Sequence, residues 1–196
     1  MIKALVFDCF GVLYPDTYWT IAKKYLGSDF SGKKTELHDL VTKVDLGYIT
    51  RDELWSQFSK IIGKTKQSVY QELQEMGGLD QQLLDFIEEK KADYKIAMIS
   101  NVGQGFLESM FDKKPAKHYF DAIILSSDVG LVKPDKRIYE LCAQRLEIPI
   151  EECVFTDDLE KNTKGAVDAG MQAIKYGSFE QYQKQLQKLI ARDSND

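Results

Sequence analysis

Five short apolar runs, rich in β-branched side chains, alternate along the chain with segments in which hydrophobic residues recur at helical spacing. Runs of this kind are typical of strands buried on both faces, and strands alternating with helices are joined into parallel sheets by right-handed crossovers. The predicted strands are Ile2–Phe7, Lys95–Ser100, Ala122–Ser126, Cys153–Thr156 and Gln172–Tyr176. Helical patterns lie near Gln81–Lys91, Gly105–Phe111, Asp135–Leu146, Lys161–Ala169 and Glu180–Ala191. The alternation predicts an α/β fold with a mostly parallel five-stranded sheet.

The stretch from about Asp16 to Gly78 departs from this alternation. It contains no convincing strand, and its amphipathic helical segments are Thr17–Leu26, Thr35–Asp45, Arg51–Ile62 and Lys66–Met76. We expect a helical insert placed directly after the first strand to form a lid over the sheet edge. The chain is therefore predicted to have a doubly wound, Rossmann-like core of residues 1–15 and 79–196, and an all-α cap subdomain of residues 16–78.

Composition narrows the classes of function. A net charge of -5 argues against a general binder of nucleic acid or of acidic membranes. No apolar stretch is long enough to span a bilayer, and the N-terminal apolar run is too short for a signal peptide. Three cysteines without a paired pattern favour reduced thiols, so we expect a cytoplasmic protein. Nothing in the sequence indicates an oligomeric state.

Polar side chains gather where the predicted strands end. Asp8 follows the first strand, Ser100 and Asn101 close the second, and Asp157–Asp158 end the fourth. Lys133 lies in the loop after the third strand, between Gly130 and a helix. Each residue alone has an ordinary interpretation, because Asp, Ser and Asn commonly cap helices and a lone Lys is usually solvated. In open α/β sheets, however, ligands bind at this carboxyl edge.

The acidic residues favour a cation at that edge. If the first and fourth strands are neighbours, Asp8, Asp157 and Asp158 meet there, and two carboxylates ~4 Å apart repel by about 4 kcal/mol at an effective dielectric near 20. Such a group takes up protons or binds a metal ion. Oxygen ligands with few carboxylates suit Mg²⁺. With a lysine and Ser/Asn donors nearby to bind a phosphate, the spacing predicts phosphoryl chemistry.

The four segments, in this order, resemble the motif set of the haloacid dehalogenase (HAD) superfamily, whose members are mostly Mg²⁺-dependent phosphatases. The similarity covers nearly the whole chain, and the helical insert is similar in place and size to the family's helical cap. Ser100-Asn101, Gly130–Tyr139 and Phe155–Asp158 are most similar to the branch that contains bacterial α-glucose-1-phosphate phosphatase. This similarity implies a phosphoric monoester hydrolase acting on a small phosphorylated metabolite such as a sugar phosphate.

The resemblance also implies roles for individual residues. Asp8 would attack phosphorus and form an aspartyl-phosphate that water later hydrolyses. Mg²⁺ would be held by a carboxylate oxygen of Asp8, the backbone carbonyl of Phe10 and Asp158, with Asp157 joining directly or through water. The transferring phosphoryl oxygens would be bound by Ser100, Lys133 and the amide at Asn101, with Lys133 also stabilising the charge that develops.

Phe10 departs from the family pattern, because an aspartate that protonates the leaving group usually stands two residues after the nucleophile. Losing a positioned general acid typically costs about 10²–10⁴ in rate. Phe10 therefore predicts a preference for substrates whose leaving group needs little protonation, such as sugar 1-phosphates or acyl phosphates. It also leaves two alternatives open: a catalytically impaired relative that binds a ligand or protein, and, less favoured by Asp157 and Asp158, a metal-free 2-haloacid dehalogenase.

Overall fold

The computed structural model describes residues 1–111 and 114–193. Its five strands are β1 (Ala4–Phe7), β2 (Lys95–Ser100), β3 (Ala122–Leu125), β4 (Cys153–Asp157) and β5 (Gln172–Lys175). They form one sheet in the order β3-β2-β1-β4-β5, and every pairing is parallel. The predicted five-stranded sheet is confirmed, and it is parallel throughout rather than mostly parallel. All residues of β1 and β4 are buried, as expected for strands covered on both faces.

Helices fill the connections between the strands. They are α1 (Thr17–Leu26), α2 (Phe30–Asp45), α3 (Arg51–Ile61), α4 (Lys66–Glu75), α5 (Gln81–Lys90), α6 (Phe106–Met110), α7 (Ala116–Tyr119), α8 (Ser126–Val129), α9 (Lys136–Leu146), α10 (Glu160–Ala169) and α11 (Phe179–Asp193). Residues such as Phe7 and Tyr182 form a hydrophobic cluster on one face of the sheet, and residues such as Val6 and Tyr139 form a second cluster on the other face. The doubly wound α/β fold predicted from the sequence is therefore confirmed.

Helices α1 to α4 share a third hydrophobic cluster, to which Ile21, Leu37, Trp55 and Phe58 contribute. The start of α3 is fixed by a reciprocal capping box, in which the Thr50 hydroxyl accepts from the Glu53 backbone while the Glu53 side chain accepts from the Thr50 backbone. The division into a core of residues 1–15 and 79–196 and a cap of residues 16–78 stays a prediction, and this separate cluster supports it. In the described part of the chain, no helix combines the length and apolar character needed to cross a membrane.

Two features place the functional candidates at one edge of the sheet. β1 lies between β2 and β4, and the Asp8 N–H donates to the Thr156 carbonyl at 2.9 Å, so three strand ends are held side by side. The C-terminal end of α2 also docks on this edge, where the Ser126 hydroxyl donates to the Asp45 carbonyl at 2.6 Å. The helical insert is therefore tied to the core beside the strand ends.

Candidate active site

A buried lysine joins two of the predicted acidic residues. The Lys133 ammonium nitrogen lies 2.7 Å from Oδ1 of Asp8 and 2.7 Å from Oδ2 of Asp157. All three residues are buried, with relative exposures of 3% for Lys133, 6% for Asp8 and 0% for Asp157. Asp8 and Asp157 were expected to meet if the first and fourth strands were neighbours, and the structure confirms that these strands are adjacent. Lys133 lies between the two carboxylates rather than in solvent.

The backbone around Lys133 is fixed by Asn101. The Asn101 side-chain amide donates to the Lys133 carbonyl at 3.1 Å, and its Oδ1 accepts from the Lys133 N–H at 2.8 Å. This reciprocal pair holds the loop before α9 against the end of β2. Asn101 therefore positions Lys133 through its side chain, whereas its predicted contact with substrate stays a prediction.

Asp157 accepts hydrogen bonds on both of its carboxylate oxygens. Besides Lys133, the Leu159 N–H donates to Oδ1 at 2.8 Å, and the Asn162 amide donates to Oδ1 and Oδ2 at 3.1 and 3.0 Å. A carboxylate offers about four acceptor positions, so these contacts occupy most of them. Asp157 is thus held as an anchor for Lys133, which favours the version of the prediction in which it joins a metal site through water.

Asp158 completes the acidic group. One carboxylate oxygen from each of Asp8, Asp157 and Asp158 lies within 4.8 Å of the others. Gly11 allows Asp158 this position, because a Cβ at residue 11 would lie well inside van der Waals contact of the Asp158 carboxyl group, and the φ of +85° there also favours glycine. In the described part of the chain no hydrogen bond ends on the Phe10 carbonyl, which leaves that predicted ligand available.

The donor set fits a hard divalent cation. If all three carboxylates are ionised and Lys133 is protonated, the group carries two uncompensated negative charges. Oxygen atoms from carboxylates and a backbone carbonyl are ligands that Mg²⁺ accepts, together with waters. The residues present are therefore consistent with the predicted magnesium site.

Burial and mutual repulsion perturb the pKa values of these groups. Burial raises the pKa of Asp8 well above its ordinary value, and Asp157 adds to this while Lys133 opposes it. Burial also raises the pKa of Asp158 to about 6, with repulsion from Asp157 as the next cause. Burial disfavours the Lys133 ammonium, but attraction to Asp8 and Asp157 outweighs it and raises the pKa of this lysine. A divalent cation would favour the ionised carboxylates.

Ser100 presents a hydroxyl without a partner. The residue is 1% exposed, and its Oγ makes no hydrogen bond with any described residue. Buried hydroxyls are nearly always hydrogen-bonded, and an exception calls for an explanation. Ser100 closes β2, immediately beside β1, whose end carries Asp8, so the unpartnered hydroxyl is consistent with a group that binds an oxygen of the substrate.

A cavity of about 600 Å³ opens in front of these residues, between the core and the helical insert. Its floor includes Asp8, Lys133 and Asp158, and an aromatic wall is formed by Phe10, Tyr14, Tyr18, Trp55 and Phe106. The Phe10 ring packs edge-on against Tyr14 and Phe106, with centroid distances of 6.0 and 6.3 Å. The side chain at position 10 is therefore part of the cavity wall.

Sequence reasoning assigned no role to Asp45 and Arg51 from the insert or to Asn162 from α10, although all three line the cavity. Asn162 stands one helical turn after the acidic pair, a spacing that suggests an interaction with them. For Asp45 and Arg51, no sequence signal indicates which way the insert helices face the core.

Comparisons with known proteins identify the family and the fold. A family model described as haloacid dehalogenase-like hydrolase matches residues 2–170. The phosphorylated carbohydrates phosphatase of Thermotoga maritima is 25% identical over 190 residues, which cover 90% of this chain and 85% of that protein. Two other curated relatives are much longer than this chain. The match spans 8% of mouse acyl-CoA dehydrogenase family member 10, at 39% identity over 88 residues, and 37% of an Aspergillus calidoustus drimenol cyclase.

Solved structures show the same fold. A predicted HAD-like family hydrolase from Porphyromonas gingivalis superposes with a TM-score of 0.75 at 23% identity, covering 97% of this chain and 98% of that one. A HAD family enzyme from Bacteroides thetaiotaomicron, solved in complex with magnesium and inorganic phosphate, gives a TM-score of 0.72 at 21% identity, covering 91% and 96%. With the family model matching most of the chain, the protein belongs to the haloacid dehalogenase-like hydrolases.

Proposed function

We propose that the protein is a Mg²⁺-dependent phosphatase of a small phosphorylated metabolite. The observation that carries this proposal is the ion-paired Asp8–Lys133–Asp157 arrangement at the sheet edge, with Asp158 beside it. A carboxylate nucleophile, a buried cation and a hard-cation site are together the components that phosphoryl transfer requires. The likeness to a phosphatase of phosphorylated carbohydrates supports a sugar phosphate as substrate.

Asp8 would act as the nucleophile. Its carboxylate attacks phosphorus, the bond to the leaving oxygen breaks, and an aspartyl-phosphate forms that water then hydrolyses. Lys133 would neutralise the phosphoryl oxygens, and the unpartnered Ser100 hydroxyl would donate to one of them. Asn101 and Asp157 would hold Lys133 in place from two sides.

A magnesium ion would be held by Asp8, Asp158 and the Phe10 carbonyl, with Asp157 joining through water. When bound, the ion supplies positive charge that favours an ionised Asp8 and binds the anionic phosphoryl group. The protein contributes the oxygen ligands and the buried surroundings that strengthen these electrostatic effects.

Phe10 favours one alternative function. With an aromatic ring in the cavity wall instead of a general acid, the protein could bind a phosphorylated ligand with little or no turnover. Residual activity would then be confined to activated substrates such as acyl phosphates. Phosphate release separates this binding function from the phosphatase.

The test is a panel of sugar phosphates, alkyl phosphates and acyl phosphates, assayed for phosphate release with Mg²⁺ and with EDTA. The catalytic proposal predicts release that requires Mg²⁺ and disappears in Asp8→Asn. Absence of Asp8-dependent release across the panel would support the binding function. Halide release from 2-chloropropionate with EDTA present would instead indicate a dehalogenase.

A further inference from the structure

We propose that Asp45, at the C-terminal end of α2, donates the proton to the leaving group and thereby takes the part that Phe10 cannot. The assignment rests on the proposed phosphatase function and adds a residue from the helical insert to its machinery. In this arrangement the nucleophile comes from the core, and the proton donor comes from the segment above it.

Asp45 lies at the same cavity as the reacting groups. Asp45 lines the same cavity as Asp8, Lys133 and Asp158. Lys133, which pairs with Asp8, is also close enough to Asp45 for their charges to interact. In an in-line displacement the leaving group lies opposite the nucleophile, and in this proposal that position is on the insert side of the cavity. The placement therefore gives Asp45 access to the leaving oxygen.

The backbone at Asp45 is anchored to the core. Its carbonyl accepts from the Ser126 hydroxyl at 2.6 Å, and the same hydroxyl oxygen accepts from the Val102 N–H at 2.9 Å. The adjoining Val44 packs so closely against Gly103 that a Cβ at residue 103 would overlap its side chain. A proton donor must be held in position to be effective, and these contacts supply that restraint.

The carboxyl group of Asp45 is free to exchange a proton. No hydrogen bond or ion pair to it is found among the residues that the structure describes. The titratable groups that face it are Lys133 from the loop before α9, Lys161 from α10 and Tyr18 from α1. Burial raises the pKa of Asp45 to about 7, and the two lysines oppose that rise. A general acid–base works best when its pKa lies near the working pH.

The proposed chemistry balances over two steps. In the first, Asp8 attacks phosphorus, the bond between phosphorus and the leaving oxygen breaks, and the leaving oxygen takes the proton from the Asp45 carboxyl. In the second, water attacks the aspartyl-phosphate, Asp45 removes a proton from that water, and Asp8 leaves as the carboxylate. Asp45 ends protonated, ready for the next substrate.

Substitution of Asp45 by asparagine tests the assignment, because the amide keeps the shape and loses the exchangeable proton. Wild type and Asp45→Asn are compared with Mg²⁺ on an alkyl phosphate, which needs protonation of its leaving group, and on p-nitrophenyl phosphate, which does not. Asp39→Asn is the matched control, since Asp39 is an exposed acid on the same helix. Melting temperatures of all variants verify folding, and Asp45→Glu tests whether a carboxyl group restores activity.

We expect the wild type to hydrolyse the alkyl phosphate, with kcat/KM falling as the pH rises through about 7. In Asp45→Asn, turnover of the alkyl phosphate should fall by about 10²–10⁴ and this limb of the pH profile should vanish. The variant should still release nitrophenol rapidly in its first turnover, because forming the aspartyl-phosphate then needs no acid. Asp39→Asn should match the wild type on both substrates.

Two results would overturn the assignment while leaving the phosphatase function intact. One is an Asp45→Asn variant that keeps the wild-type rate and pH profile on the alkyl phosphate. The other is a wild type that hydrolyses only activated esters in an Asp8-dependent manner. If no substrate gives Asp8-dependent phosphate release, the phosphatase function itself fails, and the role of Asp45 fails with it.

Discussion

Replacing Lys133 by methionine should destabilise the protein far more than removing a surface lysine. The side chain is 1% exposed and pairs at 2.7 Å with both Asp8 and Asp157. Methionine occupies similar space without charge, so the change isolates the electrostatic contribution. The two carboxylates would then remain in a buried site with no cation between them.

The magnitude follows from the burial of these pairs. At an effective dielectric near 20, opposite unit charges about 4 Å apart attract by about 4 kcal/mol. Lys133 makes two pairs that are closer than this, each at 2.7 Å. Part of this attraction is offset by the cost of removing the charges from water. Deleting one partner of a buried pair costs about 3–5 kcal/mol, which is the loss we expect at pH 7.5 without metal.

The loss should depend on pH in a definite direction. Burial raises the pKa of Asp8, and Lys133 opposes that rise. In the variant without Lys133, the folded-state pKa of Asp8 should therefore lie still further above its unfolded-state value. A raised carboxyl pKa removes stability as the pH rises, and protonation returns it as the pH falls. Between pH 7.5 and pH 5.5, the destabilisation should shrink by up to about 3 kcal/mol per carboxyl group that takes up a proton.

Urea denaturation followed by circular dichroism measures both effects in the metal-free protein. Lys184→Met is the matched control, because Lys184 also pairs at 2.7 Å, with Glu180, but both side chains are exposed. That substitution should cost a small fraction of the loss at Lys133, at either pH. Equal losses at the two positions, or a loss at Lys133 independent of pH, would refute the electrostatic reasoning.

Three further predictions concern neighbouring residues and the metal. Ser100→Ala should leave the urea midpoint unchanged or raise it, because the buried hydroxyl has no described partner. The KM for substrate should nevertheless rise. A clear loss of stability would instead show that the hydroxyl has a structural role. Gly11→Ala should lower the affinity for Mg²⁺ in a titration. Gly63→Ala is the control, because Gly63 has a φ of +68° and no neighbour within 4 Å, so its substitution should cause only backbone strain. Equal Mg²⁺ affinity in the two variants would contradict the role given to Gly11. Burial raises the pKa of Asp158 to about 6, so the stability of the metal-free protein should fall as the pH rises from about 4 to about 6. Mg²⁺ should raise the melting temperature more at pH 7.5 than at pH 5. Equal shifts at the two pH values would count against the metal site.

The sheet and the edge that carries the candidate site were predictable because they follow from local patterns and topology. Alternation of strands and helices predicts parallel strands, and parallel strands bring their carboxyl ends to one edge. Asp8, Ser100 and Asp157 lie at such ends, so their proximity required only the correct strand order. The four-residue helices α7 and α8 went unpredicted, because one turn is too short to show a helical repeat.

Residues whose roles depend on long-range contacts were not predictable. Asp157 and Asp158 are adjacent acids, and the sequence does not show that one is enclosed by Lys133 and Asn162 while the other lies beside Gly11. Asp45 belongs to a helix whose direction toward the core depends on its contact with Ser126, 81 positions away in the chain. Helical periodicity identifies the buried face of α2 but not which element covers it.

The central claim is that Asp8 becomes phosphorylated at this sheet edge. Mixing the protein with Mg²⁺ and acetyl phosphate, quenching in acid and analysing the digested peptides by mass spectrometry tests it directly. We expect one added phosphoryl group on the peptide that contains Asp8, lost on treatment with hydroxylamine and absent in Asp8→Asn. Phosphate release without that modified peptide, or with it unchanged in Asp8→Asn, would show that Asp8 is not the nucleophile.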